Sequence, residues 1–207
     1  MKPSIKAIIF DIDGVLVPGD KWHKEAFIRV LKKYKISISD DFYNNKLGSL
    51  PTISKLHILE ETHNFNPKFI EEANSQKQKI TKRILRERTK KSSRLIKLFR
   101  KLKSMQYRLA CCSNSRTKTV DYVLKRLGLM GEIEFYLTGA EFNPKPDPSM
   151  LKEAINKFNL KPFEVLILED SKEGIKAVKK SNANLLTIRN PKETNLKNII
   201  NSIKKLK

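Results

Sequence analysis

Apolar residues run almost unbroken from Ile5 to Phe10, are rich in Ile and show no helical spacing, so this segment predicts a buried strand. The run stops at Asp11-Ile12-Asp13-Gly14. Beyond it Trp22, Ala26, Phe27, Val30 and Leu31 recur at spacings of three and four, which predicts a helix with one apolar face from about Lys21 to Tyr34. Two further helices are expected to start near Pro51 and after Pro67, because a first helical turn tolerates the missing N–H of proline.

After Ser92 the period changes. Tyr107 to Cys112, Ile133 to Leu137, Val165 to Leu168 and Leu185 to Ile188 are short apolar runs, and they alternate with helical patterns at Leu95 to Leu102, Thr119 to Leu127, Ser149 to Phe158 and Gly174 to Lys180. Alternation of this kind implies a mostly parallel sheet covered by helices on both faces. The expected fold class is therefore α/β. The first strand joins the second half of the chain in one Rossmann-like core, residues 1–17 and 89–207, and residues 18–88 form a small inserted α-helical domain.

Composition adds an electrostatic feature. The 207 residues carry 43 Lys plus Arg against 22 Asp plus Glu, a formal charge of +21, which attracts phosphorylated ligands, nucleic acid or anionic membrane without specifying a fold. No recognisable nucleic-acid-binding motif accompanies that charge, so nucleic acid is a possible partner but not the favoured one. The basic stretch Lys82 to Lys103 is read as a solvated helix face and hinge. No run approaches the length of a membrane span, and the apolar start of the chain is interrupted by Asp11, so neither signal peptide nor anchor is expected. Cys111 and Cys112 are the only cysteines, adjacent within an apolar run; they are expected to pack as small hydrophobes in a reducing, cytoplasmic setting.

In a parallel sheet, ligands bind beyond the carboxyl ends of the strands, so polar residues at those ends carry the candidate chemistry. Asp11 and Asp13 follow the first strand, Ser113 and Asn114 the second, Asn143 to Asp147 with Lys145 the third, and Glu169-Asp170 the fourth. Several carboxylates in one cleft call for a hard cation with oxygen ligands, and Mg2+ with a phosphate co-ligand fits. Asp11 and Asp170, with Glu169 and Asp13 beside them, are the candidate metal ligands. Ser113, Asn114 and the amides that follow would bind phosphate oxygens, and Lys145 would neutralise their charge. Asp11 can serve as the nucleophile that forms an aspartyl-phosphate. Asp13, at a chain already turning at Gly14, can act as general acid and then general base.

These segments resemble the four motifs of the haloacid dehalogenase superfamily, in order: Phe10-Asp11-Ile12-Asp13-Gly14-Val15-Leu16, Cys112-Ser113-Asn114-Ser115, Lys145-Pro146-Asp147-Pro148, and Leu168-Glu169-Asp170-Ser171 continuing to Gly174-Ile175. The helical insertion after the first motif is similar to the cap of the subgroup that contains β-phosphoglucomutase and phosphoglycolate phosphatase. The resemblance implies a Rossmann-like core and Mg2+-dependent phosphoryl transfer. His23, in Trp22-His23-Lys24-Glu25-Ala26-Phe27, falls where relatives often carry histidine and is a candidate substrate contact, as is Lys55 if the cap helix turns it toward an anionic group. Pro18-Gly19 departs from the usual residues after the first motif, and Gly48 to Lys55 lacks the arginine that a mutase would use to grip a second phosphate.

The expected activity is hydrolysis of a small phosphorylated metabolite, whether sugar phosphate, glycolate-type phosphate or nucleotide. A β-phosphoglucomutase-like phosphomutase and a nucleic-acid-binding or end-processing protein are the alternatives, and the oligomeric state is not encoded in any motif. Ser171 and Asp147 are read as helix caps rather than catalysts. No Gly-x-Ser-x-Gly turn supports a serine hydrolase, and His57 and His63 have no zinc spacing.

Overall fold

The computed structural model describes residues 4–48 and 50–206. Ser49, part of the segment searched for an arginine, lies outside them. The chain divides into two compact units, Met1–Pro18 with Thr89–Lys207, and Gly19–Arg88.

The first unit is built on a five-stranded sheet of β1 (Ala7–Phe10), β2 (Arg108–Ser113), β3 (Phe135–Thr138), β4 (Val165–Glu169) and β5 (Asn184–Thr187) in the order β3-β2-β1-β4-β5. Every neighbouring pair is parallel. The central position of β1 explains its continuous apolar sequence: both faces are covered, and all four of its residues are buried. At the sheet edge, β5 is only half-buried.

The second unit is helical. It comprises α1 (Gly19–Lys33), the short α2 (Asp40–Phe42) continued by a π-helical turn over Tyr43–Leu47, α3 (Thr52–His63), a 3-10 turn over Pro67–Phe69, and α4 (Ile70–Arg88). Phe27, Val30 and Leu31 of α1 pack with Leu56 and Leu59 of α3 and with Ala73 of α4 around one apolar core. Pro67 begins the 3-10 turn that leads into α4, consistent with its fixed φ and missing donor.

The first unit resumes with α5 (Ser93–Ser104), α6 (Thr117–Leu127), α7 (Ser149–Lys157), α8 (Lys172–Ser181) and α9 (Leu196–Lys205), interleaved with the strands. Its core includes Ala7 and Ile9 of β1, Ala110 and Cys112 of β2, Ile167 of β4, and Leu151, Ala154 and Ile155 of α7. Both cysteines are reduced and buried, as small apolar residues would be. No helix among the described residues is long and apolar enough to cross a membrane.

Register brings the strand ends together. Phe10 is level with Cys111 of β2 and with Leu168 of β4, so Asp11, the residue after β1, comes level with the last residues of β2 and β4, Cys112-Ser113 and Glu169, at one rim. The Asp11 amide continues the ladder by donating to Leu168 O at 3.0 Å.

Candidate active site

The carboxyl end of the sheet is centred on Lys145, which is 6% exposed. Its ammonium donates to Asp11 Oδ1 at 2.5 Å, to Glu169 Oε2 at 2.7 Å and to the Cys112 carbonyl at 3.2 Å. An ammonium has three hydrogens, so these three contacts use its full donor capacity and tie the ends of β1, β2 and β4 to one point. The ammonium thus sits at the rim where phosphate charge was expected to be neutralised, held there by Asp11, Glu169 and the Cys112 carbonyl. In this arrangement it acts on the rim through charge and by fixing Asp11.

Burial pushes the Asp11 carboxyl well above its ordinary pKa; the Lys145 ammonium opposes this, and the Glu169 and Asp13 charges add to it. Burial also works against Lys145 itself, but Asp11 and Glu169 outweigh it and hold the ammonium above its ordinary value. For Glu169 the burial cost is again overcome, by Lys145 and by hydrogen bonds from Lys145 and Ser171, and the net shift is downward. One cation thus faces an excess of carboxylates.

Asp11, Glu169 and Asp170 each offer an oxygen, and these oxygens lie within 4.8 Å of one another. Three hard oxygen donors in a pocket with surplus negative charge suit a small divalent cation such as Mg2+. Two glycines make this packing possible. A Cβ on Gly14, whose φ is +88°, would fall on the Asp170 carboxylate, and one on Gly174 would fall on the Glu169 carboxylate. Glu169 is further fixed through Oε1, which accepts from Asp170 N at 3.0 Å, Ser171 N at 3.1 Å and Ser171 Oγ at 3.0 Å. Ser171 also caps α8, its Oγ accepting from Gly174 N at 3.0 Å.

Asp13, expected among the metal ligands, lies outside this carboxylate group. Its Oδ2 accepts a hydrogen bond from Ser115 Oγ at 2.9 Å. Ser113 is buried, and its Oγ accepts from Ser115 N at 3.1 Å, which leaves the hydroxyl hydrogen to point elsewhere. Asn114 Oδ1 accepts from Lys145 N at 2.9 Å and so positions the lysine segment. Asp147 is structural, accepting from Ser149 N at 2.8 Å at the start of α7.

Within the helical unit, His23 Nδ1 lies 2.9 Å from Lys77 Nζ, so a residue absent from the sequence reading partners the expected histidine. Spacing along α4 gave no signal for it. Lys55 is 7% exposed. Its ammonium donates to Tyr43 Oη at 2.9 Å and to Gly48 O at 2.6 Å, and it sits 4.7 Å from the centroid of the Tyr43 ring. Lys55 therefore turns into the helical unit, where aromatic faces and a carbonyl hold it. Burial, and then the charge of Lys77, push its pKa down to about 7, with Asp20 opposing.

Comparison with known proteins agrees with this layout. The chain is 28% identical over 182 residues to a phosphorylated carbohydrates phosphatase of Thermotoga maritima, covering 84% of this chain and 81% of that one. With β-phosphoglucomutase of Bacillus subtilis it shares 25% identity over 185 residues, covering 84% and 79%. The crystal structure of a β-phosphoglucomutase from Clostridium difficile superposes with a TM-score of 0.77 at 21% identity, over 97% of this chain and 98% of the other, which establishes the shared fold. The sequence model of the haloacid dehalogenase-like hydrolases matches residues 8–188, from β1 past β5, and so spans every element that lines the rim. This chain is a member of that hydrolase family.

Proposed function

We propose that the protein is a Mg2+-dependent phosphatase of small phosphorylated metabolites, with sugar phosphates the leading class and glycolate-type phosphates and nucleotides next, acting through an aspartyl-phosphate on Asp11. The observation that carries the reading is the convergence on Lys145. A buried cation locks one oxygen of Asp11 at 2.5 Å, beside Glu169 and Asp170 and on the rim where Ser113 and Asp13 also emerge. The relative named as a phosphatase of phosphorylated carbohydrates supports the choice of substrate class.

Asp11 and Asp170, with Glu169, would hold Mg2+, which supplies positive charge against the phosphoryl oxygens. Lys145 opposes the rise that burial imposes on the Asp11 carboxyl and orients it for attack on phosphorus. As the Asp11 oxygen bonds to phosphorus, the bond to the leaving oxygen breaks and the Asp13 carboxyl gives that oxygen its proton. The resulting Asp13 carboxylate then takes a proton from water while the water oxygen bonds to phosphorus and the Asp11 linkage breaks. Inorganic phosphate leaves and both aspartates return to their starting states. Ser113 donates its hydroxyl to the phosphoryl oxygens on which charge develops.

Transfer to water is favoured over return of phosphate to a sugar. The segment from Gly48 to Lys55 has no arginine, and its lysine is bonded inward to Tyr43 and Gly48. A phosphate-release screen with Mg2+ across sugar phosphates, short organic phosphates, nucleotides and phosphorylated DNA or RNA ends tests the reading. Free phosphate from a small metabolite is the expected result. Isomerised sugar phosphate without free phosphate would replace it with a mutase, and release confined to nucleic-acid ends would overturn the substrate class.

A further inference from the structure

We infer that Ser115 is a positioning residue for the general acid, holding Asp13 in the orientation from which it protonates the leaving group; this rests on the phosphatase reading given above.

Asp13 and Ser115 are 102 positions apart in the chain, yet the Ser115 hydroxyl donates to Asp13 Oδ2 at 2.9 Å across the rim between β1 and β2. A carboxyl group on a two-torsion side chain rotates freely about its terminal bond unless one oxygen is anchored. The Ser115 contact supplies one such anchor, at Oδ2. The same residue reaches in the other direction, its backbone N–H donating to Ser113 Oγ at 3.1 Å. Ser115 therefore links the residue proposed to bind phosphate with the residue proposed to protonate the leaving oxygen.

Position also matters. Ser115 lies just before α6, in the short link Asn114 to Arg116 between β2 and that helix, so it is fixed by two regular elements. Gly139, one residue past the end of β3, reinforces the link: a Cβ there would collide with the Asn114 backbone, so the two loops pack backbone to backbone. The hydroxyl is thus carried on a constrained segment, as a group that orients another must be.

The role makes a prediction that a general structural role does not. Leaving-group protonation matters when the leaving oxygen is a poor leaving group, such as a sugar hydroxyl, and matters little when it is a nitrophenolate. In kcat/KM, which reports steps up to departure of the leaving group, Ser115→Ala should lose about 10-fold or more on an alkyl or sugar phosphate and stay within about twofold on p-nitrophenyl phosphate. Ser115→Thr, which keeps the hydroxyl, should recover most of the loss. Thermal unfolding of both variants should match the parent protein.

An equal loss on both substrates would assign Ser115 to the phosphate site through Ser113 and overturn the inference while leaving the phosphatase reading in place. Full activity of Ser115→Ala on the sugar phosphate would also overturn it. Failure of the parent protein to release phosphate from either substrate would instead overturn the phosphatase reading, and the inference with it.

Discussion

Gly14 leaves open the space into which the Asp170 carboxylate packs: an added Cβ would fall on that carboxylate, and the φ of +88° is one that L side chains rarely adopt. Ala at this position must move either the turn or the Asp170 carboxylate. Gly14→Ala is expected to cost about 1–3 kcal/mol of stability from the strained backbone alone and to lose Mg2+-dependent turnover well beyond that. Steady-state kinetics beside denaturant unfolding separate the two effects. Parent-level activity in the variant would show that Asp170 does not need the room.

Lys145 is the counter-ion of two buried carboxylates, and its removal leaves both without their cation. Breaking a buried pair by deleting one partner costs about 3–5 kcal/mol, because the remaining charges stay out of water. Lys145→Met should therefore lower stability by that order as well as abolish turnover. Urea unfolding in metal-free buffer measures it, and a change below about 1 kcal/mol would mean that the carboxylates are relieved by solvent or by protonation.

Mg2+ that binds only the folded chain must raise its stability by mass action, by about 2.7 kcal/mol at a hundredfold excess over Kd. The melting temperature of the parent protein should rise with added Mg2+. Asp170→Asn should weaken or remove the rise, whereas Asp13→Asn should leave most of it, since the Asp13 carboxylate lies outside the cluster of Asp11, Glu169 and Asp170. Equal sensitivity of both variants would contradict the separation of the two roles.

Lys55 gives the helical unit a pH-dependent stability of defined sign. Its folded pKa is lowered to about 7 from 10.5, so between those values the unfolded chain binds more protons and stability rises with pH. Below about 7 the amine is charged in both states and the buried charge is at its most costly. The stability advantage of Lys55→Met over the parent should be largest below about pH 7 and shrink by about 2–3 kcal/mol between pH 7 and pH 9, at about 1.4 kcal/mol per pH unit. Chemical unfolding at the two pH values reads it directly. A difference that stays constant, or grows with pH, would show that the ammonium remains charged in the fold.

The strands were legible because a parallel sheet covered on both faces demands short continuous apolar runs. Ala7–Phe10 and Val165–Glu169 fall where the pattern predicts, and the polar residue closing each run marks the rim. Hydrogen-bond bookkeeping was not legible in the same way. The pairing of Ser115 with Asp13, the commitment of Asn114 to the Lys145 amide and the inward turn of Lys55 depend on register and rotamer, not on local sequence. Other elements were not read from the sequence. Helix α9 carries Leu196, Ile199, Ile200 and Ile203 at spacings of three and four, an apolar stripe that the strand-and-helix alternation passed over; the π-helical turn over Tyr43–Leu47 buries only its two end residues and gives no such stripe. Lys77 was missed for another reason, since a lysine on a polar helix reads as solvated until His23 is found beside it.

The central claim is that Asp11 is the atom donor to phosphorus, and Asp11→Asn tests it most directly. With Mg2+ present and the best substrate of the screen, phosphate release by this variant should fall to the level of buffer alone, while its circular dichroism and melting temperature show an intact fold. Release at the parent rate from contaminant-free variant protein would contradict the covalent mechanism.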